Sequence, residues 1–147
     1  MPHPYSISFA TLGVNYIIEH TRSKLCWHVN SKTELVLSRD CSTMFEYTNS
    51  QRIIHTSTGK CAFVSRTGNG ARISLSTFCS DDNSEWIIKG GSLTNPSSDK
   101  CIHPAMHYPE EGEPLVLWSA CGMDRIAFNF QLSKSKLGFQ LVRHISL

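Results

Sequence analysis

The chain has 147 residues, of which 40% are apolar and 18% are charged, and its formal net charge at pH 7 is +2. A chain of this length folds as one domain that buries roughly 70% of the surface exposed by the unfolded chain. So small a net charge gives no reason to expect a nucleic-acid partner. No apolar run approaches the roughly 20 residues that a membrane-spanning helix requires.

Short apolar segments follow one another along the chain, separated by clusters of Gly, Pro, Asn, Asp and Ser such as 67–70 and 95–99. Several segments alternate apolar and polar residues, as at Phe45 and Tyr47, which is typical of half-buried strands. The clusters supply the backbone conformations that tight turns need. No helical periodicity persists for more than about one turn. The sequence therefore predicts an all-β chain.

The strand candidates fall into three repeats, at about 16–50, 51–90 and 91–132, with a period of about 40 residues. In chain order they are 16–20, 26–29, 34–38 and 44–47; 53–56, 61–64, 72–78 and 85–88; and 92–94, 101–104, 115–118 and 126–130. Three repeats of four strands make the β-trefoil, in which six strands close a barrel and six cap one end. The expected fold is a single β-trefoil domain over 1–147 with pseudo-threefold symmetry. Two further strands, 5–10 and 137–145, are expected to pair because apolar edges need covering.

Six cysteines occur two per repeat, one opening the second strand and one following the third. Six cysteines permit fifteen pairings. The repetition favours closure within each repeat, as Cys26–Cys41, Cys61–Cys79 and Cys101–Cys121. The closely spaced cysteine pairs of a zinc site are absent, so the cysteines favour an oxidising compartment and a secreted, extracellular protein. Residues 1–5 lack the basic and apolar regions of a signal peptide.

Catalytic or metal-binding arrangements are weak in this sequence. Cys26 with His28, and Cys101 with His103, are candidate ligand or nucleophile pairs, because residues i and i+2 of a strand share a face. Each of these cysteines, however, has a cysteine partner at the end of its loop. No paired-carboxylate, Ser/His/Asp or metal spacing stands out. We expect no catalytic residues, no metal and no cofactor.

The repeated pattern of a cysteine, a strand, a loop, a second strand, a cysteine and an aromatic strand resembles the ricin-B-type (R-type) lectins, which are β-trefoils. The local match is at 83–88, where Asn-Ser-Glu-Trp-Ile-Ile is similar to the family motif N-Q-x-W-x-φ with serine replacing glutamine. The resemblance covers 16–130. It implies a non-enzymatic carbohydrate-binding protein with glycans as partners, and it makes Trp86 a core residue.

The resemblance also implies a sugar site in each repeat. In the family a polar residue, usually aspartate, lies two positions after the opening cysteine and bonds sugar hydroxyls, and an aromatic residue before the closing cysteine stacks on the sugar. The aspartate place holds His28, Phe63 and His103, and the aromatic place holds Arg39, Phe78 and Trp118. Only the third repeat combines a polar residue with an aromatic one. The missing aspartate puts ordinary galactose specificity in doubt.

The third repeat is therefore the predicted main site. The candidate carbohydrate-binding residues are His103, His107, Tyr108, Trp118, Asp124 and Arg125, with His28 in the first repeat; Glu110 lies in the same loop. A pyranose has one apolar face and a rim of hydroxyls, which suits an aromatic ring beside polar groups. Two structural interpretations stand beside this one: Trp118 as a core residue at the barrel rim, and His103 as the end of a strand.

One shallow site would bind a monosaccharide near millimolar concentration, about −4 kcal/mol. Useful affinity would then require an extended glycan, several sites or homo-oligomerisation. The alternative function is a protein-binding trefoil, cytokine-like or inhibitor-like, which would use loops and surface patches and needs no cysteine in every repeat. Glycan-binding measurements discriminate between these two functions.

Overall fold

The computed structural model describes residues 14–132, so the expected terminal strands 5–10 and 137–145 lie outside the described residues. The described residues form twelve strands: β1 Asn15–His20, β2 Cys26–Val29, β3 Leu35–Ser38, β4 Phe45–Tyr47, β5 Ile53–His55, β6 Cys61–Val64, β7 Ile73–Ser76, β8 Ile87–Lys89, β9 Ser92–Asn95, β10 Lys100–Pro104, β11 Leu115–Trp118 and β12 Phe128–Leu132. Two 3-10 turns, Asp82–Ser84 and Asp124–Ile126, precede β8 and β12. Within this part of the chain no helix is long and apolar enough to cross a membrane.

The strands form three repeats of four, β1–β4, β5–β8 and β9–β12, and consecutive strands pair antiparallel within each repeat. The fourth strands are the exceptions: β4 pairs with β1 and β5, β8 pairs with β9, and β12 pairs with β1. β1 also pairs with β12, from Tyr16 opposite Leu132 to His20 opposite Phe128, which joins the first repeat to the last. The all-β prediction and its threefold repeat are confirmed, and the architecture is a β-trefoil.

Backbone hydrogen bonds interlock the repeats. In each repeat the third strand donates to the loop before the third strand of another repeat: Leu37 to Glu113 (2.8 Å), Leu75 to Thr33 (2.9 Å) and Leu117 to Ala71 (2.8 Å). The three donors occupy equivalent positions in β3, β7 and β11, as expected for pseudo-threefold symmetry. Because each hairpin depends on a loop of another repeat, no repeat can be moved without disturbing its neighbours.

The first strand of each repeat ends in the same turn. A side chain at the strand end bonds a hydroxyl three residues later: His20 Nδ1 to Ser23 Oγ at 2.7 Å, His55 Nδ1 to Thr58 Oγ1 at 2.8 Å, and Asn95 Oδ1 to Ser98 Oγ at 2.8 Å. The residue after each hydroxyl has a positive φ: Lys24 (68°), Gly59 (74°) and Asp99 (59°). Short polar side chains that bond within a turn stabilise this kind of backbone reversal.

The barrel interior is built from equivalent positions of the three repeats. Phe45, Trp86 and Phe128 take the same place, at or just before the fourth strand, and all three are buried. Trp86 is 0% exposed, and its indole Nε1 donates to the Ala62 carbonyl at 3.0 Å. Trp27 packs edge-on against Phe45 (centroids 5.7 Å apart) and Phe128 (5.6 Å). The expected core role of Trp86 is confirmed.

Each repeat has one disulfide, which closes the loop between its second and third strands. The disulfides join Cys26 to Cys41, Cys61 to Cys79 and Cys101 to Cys121, with sequence separations of 15, 18 and 20 residues. The predicted pairing is confirmed. Loop-closure entropy gives each bridge about 3 kcal/mol of stabilisation. Because all six sulfurs are bonded, Cys26 with His28 and Cys101 with His103 cannot act as thiolate ligand or nucleophile pairs in this state, and that alternative is wrong.

Candidate functional site

The outer face of the β10–β11 hairpin carries the two main predicted residues. Cys101 lies opposite Trp118 and His103 lies opposite Val116 in the antiparallel register. Since side chains alternate between the two faces of a strand, Leu117 points into the barrel and is fully buried, whereas Trp118 points outward and is 44% exposed. His103 and Trp118 therefore lie on one face of the hairpin, and Trp118 is not a core residue.

The side chain of His103 is largely buried on this face, and only 6% of the residue is exposed. Its Nε2 pairs with the Ala120 carbonyl, which can only accept, so Nε2 carries the proton and Nδ1 is left as the acceptor of the neutral ring. Burial lowers the pKa of His103 from its ordinary 6.5 and the charge of Arg125 lowers it further, while the bond to Ala120 opposes both. His103 is therefore neutral at physiological pH and keeps one acceptor nitrogen.

A cavity of about 200 Å³ lies on this face and is lined by nine residues. Four of them are predicted site residues: His103, His107, Trp118 and Arg125. The remaining lining is mainly apolar and includes Met106, Val116 and Ile126. This volume is below the roughly 300–1,000 Å³ of sites for drug-sized ligands, so the cavity accommodates one ring of a ligand. It offers an indole surface, two imidazoles and a guanidinium to that ring.

The loop after β10 and the second 3-10 turn supply the charged part of the lining. The Arg125 guanidinium contacts the His107 imidazole, and the ring of His107 lies 4.9 Å from that of Tyr108. Tyr108 is 78% exposed and lies beside the cavity lining rather than in it. Asp124 begins the turn that contains Arg125. The buried His20 donates from Nε2 to the Arg125 carbonyl at 2.5 Å and so holds this turn against the first repeat.

The acidic half of the same loop faces elsewhere. Glu111 accepts from Ser38 Oγ and from the Arg39 backbone N–H, both at 2.6 Å. The hydrogen bond from Ser38 is the main cause of the lowered pKa of Glu111. Glu110 and Glu111 line a separate cleft that includes Arg39. Glu110, which the sequence placed in the loop of the site, therefore does not line the cavity beside Trp118.

The other two repeats do not reproduce the arrangement of His103 and Trp118. The strand position of Trp118 corresponds to Ser38 in the first repeat and to Ser76 in the second, because these residues lie opposite the opening cysteines. Arg39 and Phe78, which the sequence placed in the aromatic position, lie one and two residues beyond it. Their alignment with Trp118 is therefore wrong: Ser38, Ser76 and Trp118 all lie three residues before the closing cysteine, whereas Arg39 lies two residues and Phe78 one residue before it.

His28 is partly exposed on the outer face of the first repeat. Its Nδ1 is 2.9 Å from Thr43 Oγ1 and 4.0 Å from an Asp40 oxygen, so its polar contacts are to its own repeat. In the second repeat Phe63 packs edge-on against the exposed Phe78, with centroids 5.8 Å apart. His28 thus has no aromatic partner of the kind that Trp118 gives His103, and Phe63 brings no polar group.

A contact from the second repeat was missed by sequence reasoning. A Cβ placed on Gly70 would lie 3.8 Å from Cζ3 of Trp118, so the backbone at Gly70 runs beside the indole. Asn69 Nδ2 also donates to Ser119 Oγ at 3.3 Å. Gly70 has a φ of 88°, which favours glycine. The glycine-rich turn 67–70 was the available signal, but sequence alone does not show that it meets the third repeat.

Comparison with known proteins agrees with this architecture. The family model described as the ricin-type beta-trefoil lectin domain matches residues 14–128, whereas no curated protein sequence matches the chain. An earthworm R-type lectin C-half, solved with GalNAc, has 11% identity and a TM-score of 0.69 over 82% of this chain and 99% of that one. The Macrolepiota procera ricin B-like lectin, solved with lactose, has 12% identity and a TM-score of 0.69, over 82% of this chain and 96% of that one.

The designed threefold-symmetric protein ThreeFoil has 15% identity and a TM-score of 0.68, over 80% of this chain and 97% of that one. At these identities the structural similarity shows the fold. The family match covers more than half of the chain and includes all three disulfide-closed repeats and Trp86. The chain belongs to the ricin-type β-trefoil lectin domain family.

Proposed function

We propose that this protein is a non-enzymatic lectin that binds a glycan through its third repeat. The observation that carries the proposal is the outward indole of Trp118 on the same face as His103, beside a cavity that fits one ring. The indole provides a surface for the C–H-rich face of a pyranose. His103 Nδ1, His107 and Arg125 provide an acceptor and donors for the substituents on its rim.

We further propose that the protein is secreted. Three disulfides that use all six cysteines are typical of an oxidising compartment. In a reducing compartment the bridges would be broken, and the protein would lose about 3 kcal/mol of stabilisation per bridge.

A glycan array followed by calorimetry tests the proposal. We expect the best glycan on the array to titrate with one site per chain, because only the third repeat places an exposed aromatic beside a polar residue at this strand position. Binding at three equivalent sites would show that Ser38 and Ser76 do not disable the first two repeats. Silence across the array, with the protein folded, would reject the lectin function.

Affinity for a neutral sugar is expected to fall as the pH drops below 6.5. Protonation turns Nδ1 of His103 from an acceptor into a donor. Because burial holds the pKa of His103 below its ordinary value, the fall begins at lower pH than an unperturbed imidazole would give. Calorimetry at a series of pH values measures this loss of affinity in the wild type and in His103→Gln, whose glutamine does not titrate. A pH profile unchanged in His103→Gln would assign the effect to another group.

Stability must be followed in the same pH series. Burial is the main cause of the lowered pKa values of His20, His55 and His103. The unfolded chain therefore takes up protons near pH 6.5 while these folded imidazoles remain neutral. Stability is lost as the pH falls from 6.5 towards the folded-state pKa values. Thermal unfolding at each pH separates this loss from a change in sugar affinity.

A further inference from the structure

The polar side chains around the third-repeat cavity are imidazoles and a guanidinium. His103, His107 and Arg125 line it, and no aspartate or glutamate does among the residues whose side chains the structure describes. His103 takes the place where the resemblance implies an aspartate. A carboxylate there would repel a ligand that carries its own negative charge. Its replacement by a neutral imidazole removes that repulsion.

Glu110, Glu111 and Glu113 of the neighbouring loop are not among the residues that line the cavity. Glu111 is held by Ser38 and Arg39 of the first repeat. Glu110 lies with Glu111 in the separate cleft. His107 in the first half of the loop therefore lines the cavity, whereas Glu110 and Glu111 in the second half lie with Arg39 of the first repeat, and Glu113 is partly buried and accepts from the Met106 backbone.

Other residues hold both the backbone and the guanidinium of Arg125. Its backbone carbonyl accepts from the buried His20, and its guanidinium rests against the His107 ring. Among the described side chains Arg72 pairs with Glu34 and His28 lies 4.0 Å from an Asp40 oxygen, and neither contact involves Arg125. A guanidinium offers five N–H donors in a planar fork that matches a carboxylate or a sulfate. The contact with His107 leaves donors of this fork for an anion.

We propose that the third-repeat site takes an acidic sugar, whose ring lies on Trp118 and whose carboxylate or sulfate pairs with Arg125. The inference rests on the proposed lectin function and adds the chemical class of its ligand. The small cavity admits a single ring, so the acidic residue is at the end of a glycan or is a branch of it. Carboxylated and sulfated sugars share the anionic group and differ in its geometry.

Matched pairs of sugars test the inference by calorimetry. The pairs are methyl glucuronide with methyl glucoside, sialyllactose with lactose, and sulfated N-acetylgalactosamine with N-acetylgalactosamine. We expect at least one acidic sugar to bind about tenfold tighter than its neutral partner, the scale of a hydrogen bond to a charged group. Added salt should reduce the difference, because it screens the charge. The pair that shows the preference distinguishes a carboxylate from a sulfate.

Three variants assign the preference to Arg125. Arg125→Gln should bind both members of a pair equally, and Arg125→Lys, which keeps the charge without the fork, should recover part of the preference. Arg66→Gln is the control, since it removes one positive charge from an exposed loop of the second repeat, outside the cavity lining. This variant should keep the full preference for the acidic sugar. Thermal unfolding shows whether each variant is folded. If Arg125→Gln does not fold, the salt dependence of the preference in the wild type remains the decisive measurement.

The outcomes separate the two proposals. Equal binding of neutral and acidic sugars, tighter binding of the neutral ones, or a preference that survives in Arg125→Gln would overturn the acidic-sugar inference and leave the lectin function standing. Failure of every sugar, neutral or acidic, to bind the folded wild type would reject both.

Discussion

Trp118→Ala is expected to abolish measurable glycan binding and to leave the fold nearly as stable as the wild type. The indole is 44% exposed on the outer face of β11, so its removal opens little of the core. Stacking on an aromatic side chain contributes about 1–3 kcal/mol, by analogy with base stacking. A site of millimolar affinity, about −4 kcal/mol, cannot lose that much and still be detected.

Calorimetry and thermal unfolding on the same Trp118→Ala protein measure the two effects together. Phe78→Ala is the matched control, since it removes an exposed aromatic from the corresponding loop of the second repeat and should leave binding unchanged. Trp118→Tyr should retain part of the affinity, because a smaller aromatic surface remains. Undiminished binding by Trp118→Ala would place the sugar elsewhere, and a collapsed melting transition would make the tryptophan a structural residue.

Trp86→Ala is expected to have the opposite effect, with a loss of about 3–5 kcal/mol of unfolding free energy. Trp86 is fully buried in the barrel, and its loss also leaves the Ala62 carbonyl without its indole partner. Domains of this kind have only about 5–15 kcal/mol in total. The variant should therefore lose a large share of the domain's stability and unfold at a clearly lower temperature than the wild type.

Chemical denaturation of Trp86→Ala and of Trp86→Phe gives the magnitude. The phenylalanine variant keeps an apolar ring, as the equivalent positions Phe45 and Phe128 do, and it should lose less than the alanine variant. It also keeps the experiment informative if Trp86→Ala does not fold. A loss below about 1 kcal/mol for the alanine variant would contradict the core role, because such a value is typical of surface changes.

The repeats and the disulfides could be predicted from the sequence because both follow from patterns of residues that are close together in the chain. Alternation at period two marks strands such as β7 and β12 without knowledge of what they pack against. Two cysteines in every repeat favour local pairing, and the Asn-Ser-Glu-Trp segment at 83–86 locates a core tryptophan. Each of these signals concerns neighbours in sequence, so tertiary contacts were not needed to read them.

The third-repeat site was only partly predictable. His103, His107, Trp118 and Arg125 were named from the sequence, and the cavity brings all four together. Tyr108 and Glu110 were grouped with them because they share a loop, but neither lines the cavity. His107 lines the cavity and Glu110 lines the separate cleft, and sequence does not specify towards which repeat each half of the loop turns.

The sequence by itself determined a threefold all-β chain, its cysteine pairing, its core tryptophan and the repeat in which an aromatic and an imidazole occur together. Only the tertiary structure decided which aromatic faces outward at the equivalent strand position. That depends on pairing register, and a shift of one residue sends a side chain to the other face of the sheet. Arg39 and Phe78 were misaligned with Trp118 because they were taken two residues and one residue before the closing cysteine, whereas the residue opposite the opening cysteine lies three residues before it in every repeat.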